Sequence, residues 1–354
     1  MLAPHSYRRT GRFWASRLHL STLFPGAPPA LPFGAALLPA SLLIFAVCRG
    51  DSVKDASANV PDSAAQASAT PTAYRGTLTF AAPGPRDPFG PSVVEDLNLA
   101  SGELTVRFEG LDPTRARTGE VALIVRLKPG YAADHGIVVA DARGVTGAPL
   151  YICKDYHWSD NPVCSTPKLS PNGRLVAFGA RAAGRVCKDN FGTRWGDFVI
   201  VADRSGNEVA RFEGYSYPEW LPDGRLLMMG TQCQQAGVWV TDAALRAPTR
   251  VDGNQVATPA RAPAVSPDGN RAAFVWNQQL WMLTLGGRRE LTQLTHLPNS
   301  VAAAAWSPDG RALAVLTFDV TMPVKSLLLF RPGEERSAVV RPLPLYPFGP
   351  ISWR

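Results

Sequence analysis

Four times along this chain a proline, an aspartate or asparagine, and a glycine follow one another between two short apolar segments. The copies are Ser170-Pro171-Asn172-Gly173, Leu221-Pro222-Asp223-Gly224, Ser266-Pro267-Asp268-Gly269 and Ser307-Pro308-Asp309-Gly310, with prolines 51, 45 and 41 residues apart. These residues dictate a tight reversal. Proline presets the first corner, the Asp or Asn side chain caps the turn, and glycine takes the positive φ that residues with a Cβ resist. After each glycine comes an apolar segment: Leu175–Phe178, Leu226–Met229, Ala272–Trp276 and Ala312–Leu316. A hairpin that returns every ~40–50 residues has the period of a four-stranded propeller blade.

The rest of each unit agrees. Phe198–Val201 and Val209–Phe212 flank Asp203-Arg204-Ser205-Gly206, and Leu280–Leu285 and Leu291–Leu294 flank Gly286-Gly287. With strands named A to D, the Pro-(Asp/Asn)-Gly turn joins A to B. Upstream, Ser101–Gly110 resembles Ser205–Gly214 at an offset of 104 residues, and Arg117-Thr118-Gly119-Glu120 stands in the place of the turn. Apolar segments follow at Val121–Val125, Ile137–Val139 and Leu150–Ile152. Tyr74–Phe80 can serve as a B strand, followed by Val93–Leu99 and Leu104–Phe108. Its missing A strand is expected at the other end, where Trp353 lies 47 residues after Trp306. The expected fold is all-β: a six-bladed β-propeller of four-stranded blades over residues 74–354, closed by the C-terminal strand so that no sheet edge is left open. On the repeat count alone, five or seven blades stay open.

Ser-Pro-Asp-Gly turns at this spacing, with Trp220 and Trp306 shortly before two of them, resemble the TolB-type propeller. The same repeat occurs in the propeller domains of dipeptidyl peptidase IV and prolyl oligopeptidase relatives. The resemblance covers roughly residues 74–354. It implies a periplasmic protein-interaction module, although one scaffold of this kind hosts unrelated functions.

The charge is uneven. The whole chain carries a formal +7, yet residues 1–48 hold Arg8, Arg9, Arg12 and Arg17 and no acid, which leaves 32 basic against 29 acidic groups beyond them. The body has no dense Lys/Arg run, so no nucleic-acid partner is expected. Residues 31–47 are apolar but contain Pro32 and Pro39, which suits an export signal better than a bilayer span. The run ends in Phe45-Ala46-Val47-Cys48, which resembles a lipobox with Val47 and Phe45 as departures from the pattern. Lipidation at Cys48 is preferred, with a retained N-terminal anchor and an ordinary cleaved signal as alternatives. Residues 49–73 are rich in Ser, Ala, Asp and Pro and read as a flexible linker. The chain is thus expected on the periplasmic side of a bacterial membrane, as a monomer, with an envelope protein or another ligand as partner.

Cys153, Cys164, Cys187 and Cys233 make an even set, which favours disulfides in an exported chain. Of three pairings, Cys153–Cys164 with Cys187–Cys233 is preferred. No cofactor or metal is expected, since there is no Cys-x-x-Cys and no His pair. All four cysteines are expected on the face opposite the Pro-(Asp/Asn)-Gly turns, among loops that carry Tyr156, His157, Trp158, Phe191, Arg194 and Trp195. Aromatic residues and arginine are common interface anchors, so these six are the candidate binding residues; packing beneath stapled loops is the alternative. Gly-x-Ser-x-Gly, His-Glu-x-x-His and Walker motifs are absent. The expectation is a non-catalytic binding propeller. The alternative is a metal-dependent small-molecule hydrolase or lyase acting in the channel.

Overall fold

The computed structural model describes residues 74–83, 92–127, 135–145, 147–153, 164–188, 194–231, 236–318, 325–333, 338–342 and 348–354. They form six antiparallel sheets and no helix. Blade 1 contains β1 (Thr77–Pro83), β2 (Ser92–Asn98) and β3 (Leu104–Glu109). Blade 2 contains β4 (Leu111–Arg115), β5 (Val121–Arg126), β6 (His135–Asp141), β7 (Gly144–Val145) and β8 (Tyr151–Cys153). Blade 3 has β9 (Cys164–Leu169), β10 (Leu175–Lys188), β11 (Arg194–Asp203) and β12 (Glu208–Glu213). Blade 4 has β13 (Tyr215–Trp220), β14 (Leu226–Gly230), β15 (Gly237–Val240) and β16 (Thr249–Arg250). Blade 5 has β17 (Arg261–Val265), β18 (Arg271–Trp276), β19 (Gln279–Thr284) and β20 (Leu291–Gln293). Blade 6 has β21 (Ser300–Trp306), β22 (Leu313–Phe318), β23 (Lys325–Phe330) and β24 (Ala338–Pro342). The last strand, β25 (Phe348–Trp353), pairs with β1 and becomes the inner strand of blade 1. The inner strands pack in sequence, β25 on β4, β9, β13, β17, β21 and back to β25, so the ring is closed. Six blades and closure by the C-terminal strand are what the repeat predicts.

The hairpins show why the motif begins with serine. Ser170, Ser266 and Ser307 are buried, and each hydroxyl donates to the Asn or Asp two residues on: 2.8 Å to Asn172, 2.5 Å to Asp268 and 2.5 Å to Asp309. The same oxygen accepts the N–H five residues on, from Leu175, Arg271 or Ala312, at 2.9–3.0 Å. One hydroxyl thus ties both arms of the hairpin. The serine hydrogen bond holds the Asp268 and Asp309 carboxyls below their ordinary pKa. The glycines sit at φ 69–88°, the left-handed region the turn requires. Blade 4 has Leu221 in place of serine, and the missing acceptor is supplied from β15's far end: Thr241 Oγ1 accepts Leu226 N–H at 3.0 Å.

Side chains from adjacent blades meet in six apolar clusters, one in each seam. The middle strands are therefore covered on both faces: Leu226 to Gly230 are all buried, as are Val121 to Ile124. Polar groups join the seams as well. Trp220 Nε1 donates to Lys168 O at 2.9 Å, and Trp306 Nε1 to Ala264 O at 3.0 Å. Trp353 has no such bond; its Nε1 stays in blade 1 and donates to Arg75 O at 3.0 Å.

One expectation needs correction. The outer strand of blade 2 is not one segment at Leu150–Ile152. It is broken into β7 and β8, which pair with different parts of β6; Gly144 in β7 and Gly147 after it both have positive φ. Cys187 lies near the end of the 14-residue β10, opposite Trp195 of β11, where the strand continues past a bulge between Ala183 and Cys187.

Thr241→Val should leave the buried Leu226 N–H without an acceptor and destabilise the protein by about 1–3 kcal/mol. Urea unfolding checks this, with Thr249→Val at an exposed position expected to be near neutral. Equal midpoints for the two variants would show that Thr241 does not replace the motif serine.

Candidate functional site

The inner strand of each blade is an edge, and prolines accumulate there. Pro113, Pro167, Pro218, Pro263 and Pro350 lie in β4, β9, β13, β17 and β25. An edge strand tolerates the missing N–H. The residue before each proline has positive φ: Asp112 at 47°, Thr166 at 48°, Tyr217 at 51°, Ala262 at 50° and Gly349 at 73°. Each of these strands also carries a register shift against its neighbour. The repeated bulge turns these residues toward the axis, where all five line a cavity of about 450 Å³. A second cavity, of about 480 Å³, opens among the Pro-(Asp/Asn)-Gly turns. The two share Lys168, Ala304 and Ile351 and form the two ends of the axial channel. Where they meet, Lys168 Nζ lies 2.6 Å from Glu219 Oε2.

The mouth opposite the turns holds the more unusual chemistry. Asp112 Oδ2 accepts Thr166 N–H at 2.9 Å. Burial pushes its carboxyl pKa up, against the opposing effects of that hydrogen bond and the Lys168 charge. Gly349 passes so close to Asp112 Oδ1 that a Cβ there would collide with it. Burial also raises the Tyr217 phenol, with Arg261 acting the other way, so Tyr217 is a neutral donor at physiological pH. Arg261 lines the same mouth and donates to Val301 O at 3.2 Å. Thr166 Oγ1 is buried without a hydrogen-bond partner. The arrangement offers a hydroxyl, a phenol, a guanidinium and one desolvated carboxyl. Among the described residues no three His, Cys, Asp or Glu side chains are grouped to hold a metal ion.

Of the residues singled out in the sequence, Cys153 and Cys164 are joined by a disulfide that ties β8 to β9. Cys164 is followed at once by Ser165 and Thr166 of the channel mouth. Cys187 lies near the far end of β10, and Arg194 and Trp195 begin β11. Cys48, Tyr156, His157, Trp158, Phe191 and Cys233 lie outside the described residues. Sequence reasoning missed Asp112, Thr166, Tyr217 and Arg261. A signal was available: Pro167, Pro218 and Pro263 each precede the turn proline by four residues.

No known protein-family profile matches the sequence, and no curated protein does. Solved structures do match. TolB from Acinetobacter baumannii superposes with a TM-score of 0.60 at 13% identity, over 78% of this chain and 66% of that one, just under two thirds of its length. A protein assigned as TolB from Agrobacterium tumefaciens gives 0.52 at 15% identity, over 78% and 91%. Hydrazine synthase from Kuenenia stuttgartiensis gives 0.54 at 14%, over 78% and 46%. At these identities the likeness concerns the fold: this chain is similar to the TolB-type six-bladed propeller.

Folded, Asp112 keeps its proton to higher pH than in the unfolded chain, where the ordinary value is 3.8. The folded state therefore binds more protons just above that value, and its stability falls as pH rises through this window. Asp112→Asn should raise the Tm at pH 7, with the gain shrinking toward and below pH 3.8. A Tm difference that does not change with pH would contradict desolvation of Asp112.

Proposed function

We propose that this protein is a non-catalytic binding propeller of the bacterial envelope that takes a protein or other ligand on the face opposite the Pro-(Asp/Asn)-Gly turns, centred on the channel mouth. The repeated bulge carries this reading. Four non-glycine residues are held near φ +50°, at roughly 1–2 kcal/mol each, on the strands that line the channel. The bulge brings Asp112, Thr166 and Tyr217 into the cavity. The stretches expected from the sequence to bind fit this reading through their described neighbours. The segment carrying Tyr156, His157 and Trp158 starts and ends at the Cys153–Cys164 disulfide beside the mouth, and Arg194 and Trp195 follow the far end of β10. Among the described residues Asp112 is the one carboxylate lining the mouth and Glu219 is already paired to Lys168, which favours binding over metal-dependent hydrolysis or lyase chemistry.

The fold resemblance supports a place in the envelope, and the basic, then apolar, stretch ending at Cys48 supports export with lipidation there. We extend the proposal to a leader over residues 1–48, a linker over 49–73 and a propeller over 74–354, as a monomer.

In cells, a photo-crosslinking residue at Tyr217 should yield a partner adduct, whereas one at the exposed Arg174 on the opposite face should not. Adducts from Arg174 alone would reverse the assignment of faces, and turnover of a small molecule abolished by Asp112→Asn would favour the enzymatic alternative. A palmitate analogue should label the wild-type chain and not Cys48→Ala; equal labelling of both would remove Cys48 as the anchor.

A further inference from the structure

The opposite face carries a second feature, independent of the channel mouth. Where blades 6 and 1 meet among the turns there is a cavity of about 520 Å³. Its walls come from distant parts of the chain: Tyr74 and Arg75 ahead of β1, the blade 6 turn with Asp309 and Arg311, Arg331 after β23, and Trp353 and Arg354. These walls are fixed. Thr77 N–H donates to Arg354 O at 2.6 Å, Trp353 Nε1 donates to Arg75 O at 3.0 Å, and the Tyr74 and Trp353 rings lie 6.1 Å apart.

The charge in this cavity is unbalanced. On this face Arg204 is matched with Glu120, Arg225 with Asp223 and Arg143 with Asp141, while Arg117 and Arg271 donate to backbone carbonyls. Arg331 lies over the Tyr74 ring, 5.8 Å from its centre. Arg75 and Arg311 form no ion pair among the described residues, while the Arg354 guanidinium lies against Gly119 of blade 2. Asp309 is the one acidic side chain in the lining, and it already accepts the Ser307 hydroxyl and the Arg311 backbone N–H. Arg75, Arg311 and Arg331 less the Asp309 carboxylate leave an excess of about two positive side-chain charges in the lining, which complements the charge of a phosphate monoester. Guanidinium forks also match phosphate oxygens in pairs.

We propose that this cavity is a binding site for a phosphate group, with Arg75 and Arg311 as its ligands and the Tyr74–Trp353 wall as the surface for the moiety the phosphate is attached to. Two sources share this chemistry: a soluble phosphate monoester and the headgroup of an anionic phospholipid.

The test uses the full chain in two arms. One is calorimetric titration with glycerol 1-phosphate. The other is co-sedimentation with phosphatidylglycerol vesicles against phosphatidylcholine vesicles, in which any contribution of the leader is common to all variants. Wild type should bind in at least one arm, and the arm identifies the source. Arg75→Ala/Arg311→Ala should weaken that binding ~10-fold or more, consistent with loss of two charge-assisted contacts. Arg174→Ala/Arg246→Ala, at exposed arginines outside the cavity, should bind as wild type. Arg311→Ala alone, at an exposed side chain, serves if the double variant is unstable. No binding in either arm would overturn the proposal, as would equal losses in the cavity and control variants, which would reflect net charge alone.

Discussion

Each blade of this ring is a sheet with two apolar faces, and neither face can be covered from within its own blade. The six apolar clusters all lie between neighbouring blades. The molecule has no central core; its centre is a channel. This places the largest buried side chains, such as Phe178, Phe274 and Met228, in seams rather than on the axis. Each such side chain contributes about 1.5–3 kcal/mol relative to exposure, and only while both of its blades are in place.

Closure follows from the same requirement. An open row of blades would leave two apolar faces in water, so the last strand must return to the first blade. The β25–β1 pairing does this, and a polar knot marks the seam between blades 1 and 2. Arg115 Nη2 lies 2.7 Å from both Asp96 oxygens, its Nε donates to Thr79 Oγ1 at 2.9 Å, and its backbone N–H donates to Ser352 of β25 at 3.0 Å. Residues from the first, second and final segments of the propeller thus meet at Arg115. With Arg115 9% and Asp96 14% exposed, removing either partner would strand a largely desolvated charge.

Because the seams provide the stability, the inner strands are free to depart from regular geometry. They carry the prolines, the bulges and the left-handed residues, and they line the channel. The two ends of that channel differ in character. The mouth opposite the turns holds a desolvated Asp112 beside Tyr217, whereas arginines gather around the turns at the seam of blades 6 and 1. A ring of near-identical blades thereby presents two chemically distinct faces.

Much of the ring was legible in the residues. Proline and glycine in the repeated turn act through their own backbone geometry, and the apolar segments after them announce strands that are buried on both faces. Blade number and closure followed from spacing, because each four-stranded unit uses a similar length of chain. The broken outer strand of blade 2 and the long β10 were not legible, since glycines and bulges there override a simple apolar pattern. The inner-strand prolines were visible, but their consequence was not: a proline at a sheet edge is compatible with a straight or a bulged strand. The sequence by itself determined the local turns, the strands and the ring they must build. Only the tertiary structure decided which side chains share a site. Asp112, Thr166 and Tyr217 come from three different blades, and Arg75 and Arg311 lie 236 residues apart, so circular closure rather than chain proximity brings them together.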